Sequence, residues 1–308
     1  MNKRMRILIG SDGSSYADTA IDDLQRAGLP SNVEALVVSV GDAPIVPPFA
    51  SHEVIERAFV GDRVVSIVDH ANRQVSEVLK HANEVIVSAS ARLGSFFPGW
   101  QVRGEILAGC PAAELVRKAN EWKAELLVVG SEGRSAIGRL ILGSVSLEVA
   151  TDAGCSVRIG RRGPAQPDRK ELRILFGLDG SPGAERAIRK VLMRAWPART
   201  ELRVVAVDDG VSPIQSDVNW VSEMHVREDT SIAAGRIINV AEARGLSVTA
   251  AIKEGDPQRV LLAEAFEWEA DCIVIGSRAP GDATAGSFAG SVSNGLAANA
   301  ECSVEIVR

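Results

Sequence analysis

Short apolar runs alternate with stretches whose apolar residues recur at every third or fourth position, and this holds along the whole chain. In the first half the runs Ile7–Gly10, Ala35–Val40, Gln101–Leu107, Leu126–Gly130 and Ser156–Gly160 read as strands. In the second half the corresponding runs are Arg173–Leu178, Leu202–Val207, Val248–Ile252, Cys272–Gly276 and Ser303–Val307. Helical stripes lie between them. Ala17, Ala20, Ile21, Leu24 and Ala27 make one; Val64, Ile67, Val68, Ala71, Val75, Val78, Leu79 and Ala82 make a longer one. Pro111 suits the first turn of a third helix ending near Trp122, where a missing backbone N–H costs no intrahelical bond. Apolar strands alternating with amphipathic helices predict a parallel sheet covered on both faces. The stripes themselves are assigned to core packing.

The pattern is duplicated. Arg6–Ser14 matches Arg173–Ser181, with Asp12 and Asp179 in the same place. Gly109 and Pro111 match Gly255 and Pro257, Glu121–Gly130 matches Glu267–Gly276, and Cys155–Val157 matches Cys302–Val304. The aspartates are 167 residues apart but Gly130 and Gly276 only 146, so the first half carries about 21 additional residues before its glycine run. Arg161 to Lys170 is polar, holds two prolines and has no apolar periodicity, which predicts an exposed connection. The expected organisation is one domain over 1–160, a linker over 161–171 and a second domain over 172–308. A chain of 308 residues fits two domains of roughly 150 residues, each able to bury its own core.

A glycine-rich run follows the fourth strand of each half. In the first it includes Gly130, Gly133, Arg134, Arg139, Gly143, Ser144 and Val145; in the second, Gly276, Arg278, Ala279, Pro280, Asp282, Gly290 and Ser291. Glycines after a strand let backbone N–H groups approach a ligand, and a helix N-terminus beyond them favours negative charge. Open sheets of this kind bind ligands at the carboxyl ends of their strands, where Asp12 and the Gly130 run both lie. Arg134 and Arg139 add positive charge to the loop or form a solvated face of it. Asp12 also suits a helix N-cap together with Ser14, and the two roles are compatible. In the second run Ala279 adds a methyl, Pro280 removes a donor, and Asp282 is opposed only by Arg278. These changes predict a weakened or lost phosphate site there, with a ligand carrying fewer phosphates or none, or held in another pose, left open.

Composition removes several alternatives. The net charge of −6 argues against nucleic-acid binding through phosphate attraction, and 4% aromatic residues against a base-stacking surface. The basic start, Met1 to Arg6, precedes too few apolar residues for a signal peptide. No run elsewhere has the length of a membrane span, so a soluble, cytoplasmic chain is expected. Cys110, Cys155, Cys272 and Cys302 contain no Cys-x-x-Cys and do not form a disulfide framework. His52, His70, His81 and His225 show no metal-ligand spacing; His70 and His81 lie roughly 16 Å apart on one helix. Asp208 and Asp209 read as a solvated turn. Walker-type and dinucleotide-binding glycine motifs are missing, and no nucleophile–base pair or paired carboxylates emerge, so no catalytic centre is predicted.

The spacing Gly-x2-Gly-x9-Gly-Ser of Gly130, Gly133, Gly143 and Ser144 resembles the nucleotide motif of universal stress proteins. The likeness extends to Asp12 and Asp179, to the Gly-x-Pro before the third helix and to the cysteine opening each last strand. The chain is similar to a tandem member of that family, except at the linker and from about Gly41 to Asp62. Ser156 and Ser303 depart from it by replacing the usual proline after that cysteine. The resemblance implies an α/β fold of two tandem Rossmann-like domains, each a five-stranded parallel sheet of order 3-2-1-4-5 with helices on both faces.

It also implies an ATP site, with Mg²⁺ carried on the phosphates. Asp12 would face the adenine or ribose and Val40 would pack on the base. Gly130, Gly133, Gly143, Ser144 and Val145 would enclose ribose and phosphates, with Arg134 and Arg139 nearby. A weaker second site would use Asp179, Val207, Gly276, Gly290 and Ser291. Exposed edges at the last strands would be a liability, and family members pair there, so an intramolecular pseudo-dimer of the two repeats is expected; a homodimer of whole chains is left open. Asp42 to Glu53, rich in proline, should run near the mouth of the first site as a lid or a surface loop. The expected role is a nucleotide-dependent regulatory or interaction module. A slow ATP-hydrolysing or phosphate-transferring enzyme, and a scaffold that binds no nucleotide, are the alternatives.

Overall fold

A computed structural model describes residues 4–41, 62–132, 143–161, 171–179, 182–208, 234–276 and 291–308; at 62–74, 182, 183, 186, 208 and 291 it describes the backbone alone. The first half runs β1 (Met5–Gly10), α1 (Ser15–Asp23), β2 (Val33–Gly41), α2 (Asp62–Phe96), β3 (Gln101–Ala108), α3 (Pro111–Trp122), β4 (Leu126–Gly130), α4 (Ser144–Asp152) and β5 (Ser156–Gly160). The second runs β6 (Leu172–Leu178), α5 (Pro182–Leu192), β7 (Thr200–Asp208), α6 (234–242), β8 (Ser247–Glu254), α7 (Pro257–Glu267), β9 (Cys272–Gly276), α8 (Ser291–Asn299) and β10 (Ser303–Val307). Residues 162–170 of the expected linker lie outside the described residues.

The strands form one ten-stranded sheet of order β3-β2-β1-β4-β5-β10-β9-β6-β7-β8. Every neighbouring pair is parallel except β5 with β10, which run antiparallel where the halves meet. The last strands thus cover each other's edges. Short apolar strands such as β4 and β5 are buried along their whole length, as expected when helices cover both faces.

The two faces are built differently. On one, a single apolar core runs through both halves, from Leu8, Leu115 and Val149 to Ile273, Leu296 and Ile306. On the other, the core is split. Ile7, Ile21, Ile86 and Leu93 pack beneath α1 and α2, while Phe176, Ile188, Val191 and Ile237 pack beneath α5 and α6.

The long helix corrects the sequence reading in two respects. It continues 14 residues beyond Ala82, to Phe96, and its core face is Ala82, Val85, Ile86, Ala89 and Leu93. These positions keep the three-and-four spacing that a buried helical stripe requires. Leu79, assigned to the packed stripe, is instead 47% exposed. The first helix also ends at Asp23, and a 3₁₀ turn at Leu24–Arg26 carries Leu24 into the core.

Candidate functional site

The carboxyl ends of β2, β1 and β4 lie side by side, because Gly10 pairs with Val38 and Ile9 with Val128. The chain leaves β1 toward β2 on one side, with β4 on the other, which makes this the switch point of the first half. Ser11 continues the strand by donating its N–H to the Val38 carbonyl at 2.9 Å. Asp12 follows, half-buried, and its Oδ1 accepts from the Ser14 N–H at 3.0 Å. Ser14 in turn caps α1, its Oγ accepting from the Ala17 N–H at 3.2 Å. The capping role expected of the pair is therefore shared: Ser14 caps the helix, and Asp12 stabilises the turn before it. Val40 is half-buried near the end of β2 and packs against the continuous core.

The glycine run leaves and returns at one point. Gly143 donates its N–H to the Ser131 carbonyl at 2.8 Å, which pins the described ends of the run together beside β4. Ser146, on the first turn of α4, donates to the Gly130 carbonyl at 2.7 Å and also reaches that of Ser131 at 3.3 Å. Sequence reasoning left Ser146 out of the site. Its signal was visible in the matching Ser293 of the second half. Gly143 is the N-cap of α4 and, as a glycine, provides no side-chain acceptor for the first-turn N–H groups. Ser144 is exposed there and Val145 half-buried against the core. Gly133, Arg134 and Arg139, as well as the insertion Asp42 to Glu53, lie outside the described residues.

Gly130 has a packing reason that sequence reasoning missed. A Cβ there would stand 2.8 Å from the Tyr16 carbonyl carbon and oxygen and 2.9 Å from the Ala17 nitrogen, so only glycine lets α1 lie this close to β4. Gly276 is under the same constraint, with the Ala184 Cα 2.7 Å from a would-be Cβ. The Glu132 carboxylate near Tyr16 raises its phenol above the ordinary value of 10.0.

In the second half Asp179 is exposed at the end of β6, Val207 half-buried near the end of β7, and Ser291 begins α8. Gly290, Arg278, Ala279, Pro280 and Asp282 lie outside the described residues. A groove of about 700 Å³ occupies the opposite end of this half, between α7, α8 and the start of β10. Its lining includes Phe266, Ala270 and Cys302, with Glu267, Glu269 and Glu301 around it, and this acidic rim opposes a phosphate ligand. Among the described residues no three His, Cys, Asp or Glu side chains gather as metal ligands, and no helix is long and apolar enough to cross a membrane.

The family model described as universal stress protein family matches residues 3–161 and again 172–308. A universal stress protein of Mycobacterium tuberculosis is 28% identical over 310 aligned residues, covering 99% of this chain and 98% of its own length. One from Mycolicibacterium smegmatis is 26% identical, covering 98% and 96%. Among solved structures, a universal stress protein from Archaeoglobus fulgidus aligns over 98% of both chains with a TM-score of 0.64 at 21% identity.

Proposed function

The chain belongs to the universal stress protein family, and on that premise we propose that its N-terminal half binds ATP and that the protein acts as a nucleotide-dependent regulatory or interaction module. The observation that carries this reading is the pinned loop: Gly143 to Ser131 and Ser146 to Gly130 hold its ends at the carboxyl end of β4. The N-terminus of α4, whose N-cap Gly143 provides no side-chain cap, and the strand ends that carry Asp12 and Val40 support the same reading. Helix N–H groups and a glycine backbone favour an anion there without needing a charged side chain. Asp12 and Val40 then suit the nucleoside end, and Gly130, Gly133, Gly143, Ser144 and Val145 the ribose and phosphates. Arg134 and Arg139 supply charge within the loop, and Mg²⁺ would travel on the phosphates. The second half, through Asp179, Val207, Gly276, Gly290 and Ser291, holds the nucleotide more weakly or not at all.

The test is to denature the purified protein and identify the small molecules released by mass, then to titrate the stripped protein with ATP. An adenine nucleotide released, or ATP rebinding, supports the reading. If neither is seen, the chain is a scaffold and the loop only a connection. Prolonged incubation of the complex with ATP and Mg²⁺ separates a binding module, which leaves ATP intact, from a slow hydrolase.

A further inference from the structure

Several contacts across the seam between the halves obey a pseudo-twofold, and its central residue pair does not. Arg161 donates its N–H to the Ser303 Oγ at 3.0 Å, and Arg308, its equivalent, donates to the Ser156 Oγ at 3.2 Å. The Arg161 guanidinium reaches the Ala297 carbonyl, and that of Arg308 reaches the equivalent carbonyl of Ala150. The two serines that replace the family's proline are therefore the fasteners of this seam. Glu305 pairs in register with Arg158, and these positions are also equivalent, so the axis passes between them. Here the symmetry breaks, because one side carries a cation and the other an anion.

Both side chains are fully buried, with 0% of either exposed. Arg158 donates from Nε to the Asp23 Oδ2 at 2.6 Å and from a terminal nitrogen to the Glu305 Oε2 at 2.9 Å. Arg194, which follows α5, donates to both oxygens of Glu305 and at 3.2 Å to the Ala27 carbonyl. The result is a row of alternating charge, Asp23–Arg158–Glu305–Arg194, filling the gap between the two split cores.

We propose that this row makes the seam heterotypic: the β5 edge of the first half recognises the β10 edge of the second and rejects a copy of itself. Self-pairing about the same axis would set residue 158 against residue 158, or 305 against 305. Two buried guanidiniums or two buried carboxylates would then face each other, and like charges opposite one another in a sheet are destabilising. Burial removes the water that would screen them. The chain therefore closes on itself, or exchanges halves reciprocally with a second copy, but does not associate through two like edges.

Charge reversal in the full chain tests this. Glu305→Arg recreates in one molecule the cation-against-cation seam of self-pairing, and Arg158→Glu the anion-against-anion seam. Each is expected to lower the melting temperature by about 10 °C or more. In protein cut at a protease site engineered within 162–170, the halves should separate on size exclusion for each single variant and stay together for the wild type. The double variant restores opposite charges at the centre but sets residue 158 against Asp23 and residue 305 against Arg194, so it should stay below wild type while losing clearly less than the sum of the two singles. Should a reversal fail to accumulate as folded protein, Arg158→Gln, Glu305→Gln and their double variant carry the same cycle, with less than additive loss expected. Single variants melting within about 2 °C of wild type, or losses that simply add in the double, would overturn the proposal.

Discussion

Set beside each other, the two halves agree at several constrained backbone positions and differ in the segments between them. α3 and α7 both begin after a glycine in the left-handed region, Gly109 at φ +136° and Gly255 at φ +130°. Lys123 and Glu269 follow those helices with matching positive φ of 55° and 52°. Gly130 and Gly276 admit a helix against the fourth strand in both. The differences fall between these fixed points: the 35-residue α2 and the insertion before it, and the exchange of Gly133 for Ala279 in the glycine run. Packing preserves the scaffold of a duplicated domain while the sequences of the loops at its strand ends diverge, and loops are where binding residues concentrate on such scaffolds.

Separating binding glycines from packing glycines breaks the comparison most sharply. Gly133→Val should abolish measurable ATP binding by blocking backbone approach, while leaving the melting temperature unchanged. Arg139→Ala, if it removes one charge-assisted contact, should weaken ATP binding by about 1.5–3 kcal/mol, or roughly ten- to hundredfold. A titration in which both variants bind like wild type would take the loop out of the site.

Gly130→Ala and Gly276→Ala should instead cost about 1–3 kcal/mol of stability each, since the added methyl meets helix backbone in both halves. Chemical denaturation checks this, and a loss confined to Gly130 would contradict a shared packing role. The retention of Gly276 beside an altered loop already favours packing as the common cause.

A smaller effect follows from the seam. Burial would raise the Glu305 carboxyl, but Arg194 and then Arg158 outweigh it and hold the group below its ordinary value of 4.5. A lowered carboxyl stabilises the fold above the unfolded-state value and loses that contribution as pH falls through the folded-state one. Thermal stability should therefore show a Glu305 contribution that is constant above about pH 4.5 and fades in stronger acid. Glu305→Gln should lack this acid step. An identical acid profile in the variant would contradict it.

The least effect is on thiol chemistry, and it again divides the halves. Cys110 is exposed and Cys155 half-buried, whereas Cys272 and Cys302 are buried. Burial pushes the Cys302 thiol up to about 12 and raises Cys272 as well. Labelling at neutral pH should mark Cys110 first, with the thiols of the second half silent until unfolding. Rapid labelling of Cys302 in native protein would count against the closed seam.

The sequence made the strands legible to within two residues at most ends, because a buried parallel strand is a short apolar run whatever its neighbours are. Gln101–Leu107 became Gln101–Ala108, and Val248–Ile252 became Ser247–Glu254. The end of α2 was missed although Val85, Ile86, Ala89 and Leu93 continue its period. Leu79 misled because an apolar residue on a helix need not face the core. The candidate site rests on glycine spacing, and spacing alone does not tell Gly130 as a neighbour of α1 from Gly130 as a cradle. Arg158 and Glu305 were the least legible. A charge in a buried strand makes sense only when its partner is known, and here the partner is 147 residues away on the other half.

The central claim is the asymmetry of binding between two halves that share a scaffold. Calorimetric titration of the nucleotide-free full-length protein with ATP and Mg²⁺ tests it most directly. The account predicts a single site per chain, lost in Gly133→Val, with the second half contributing only much weaker binding. Two equivalent ATP sites per chain, or one site that survives intact in Gly133→Val, would contradict it.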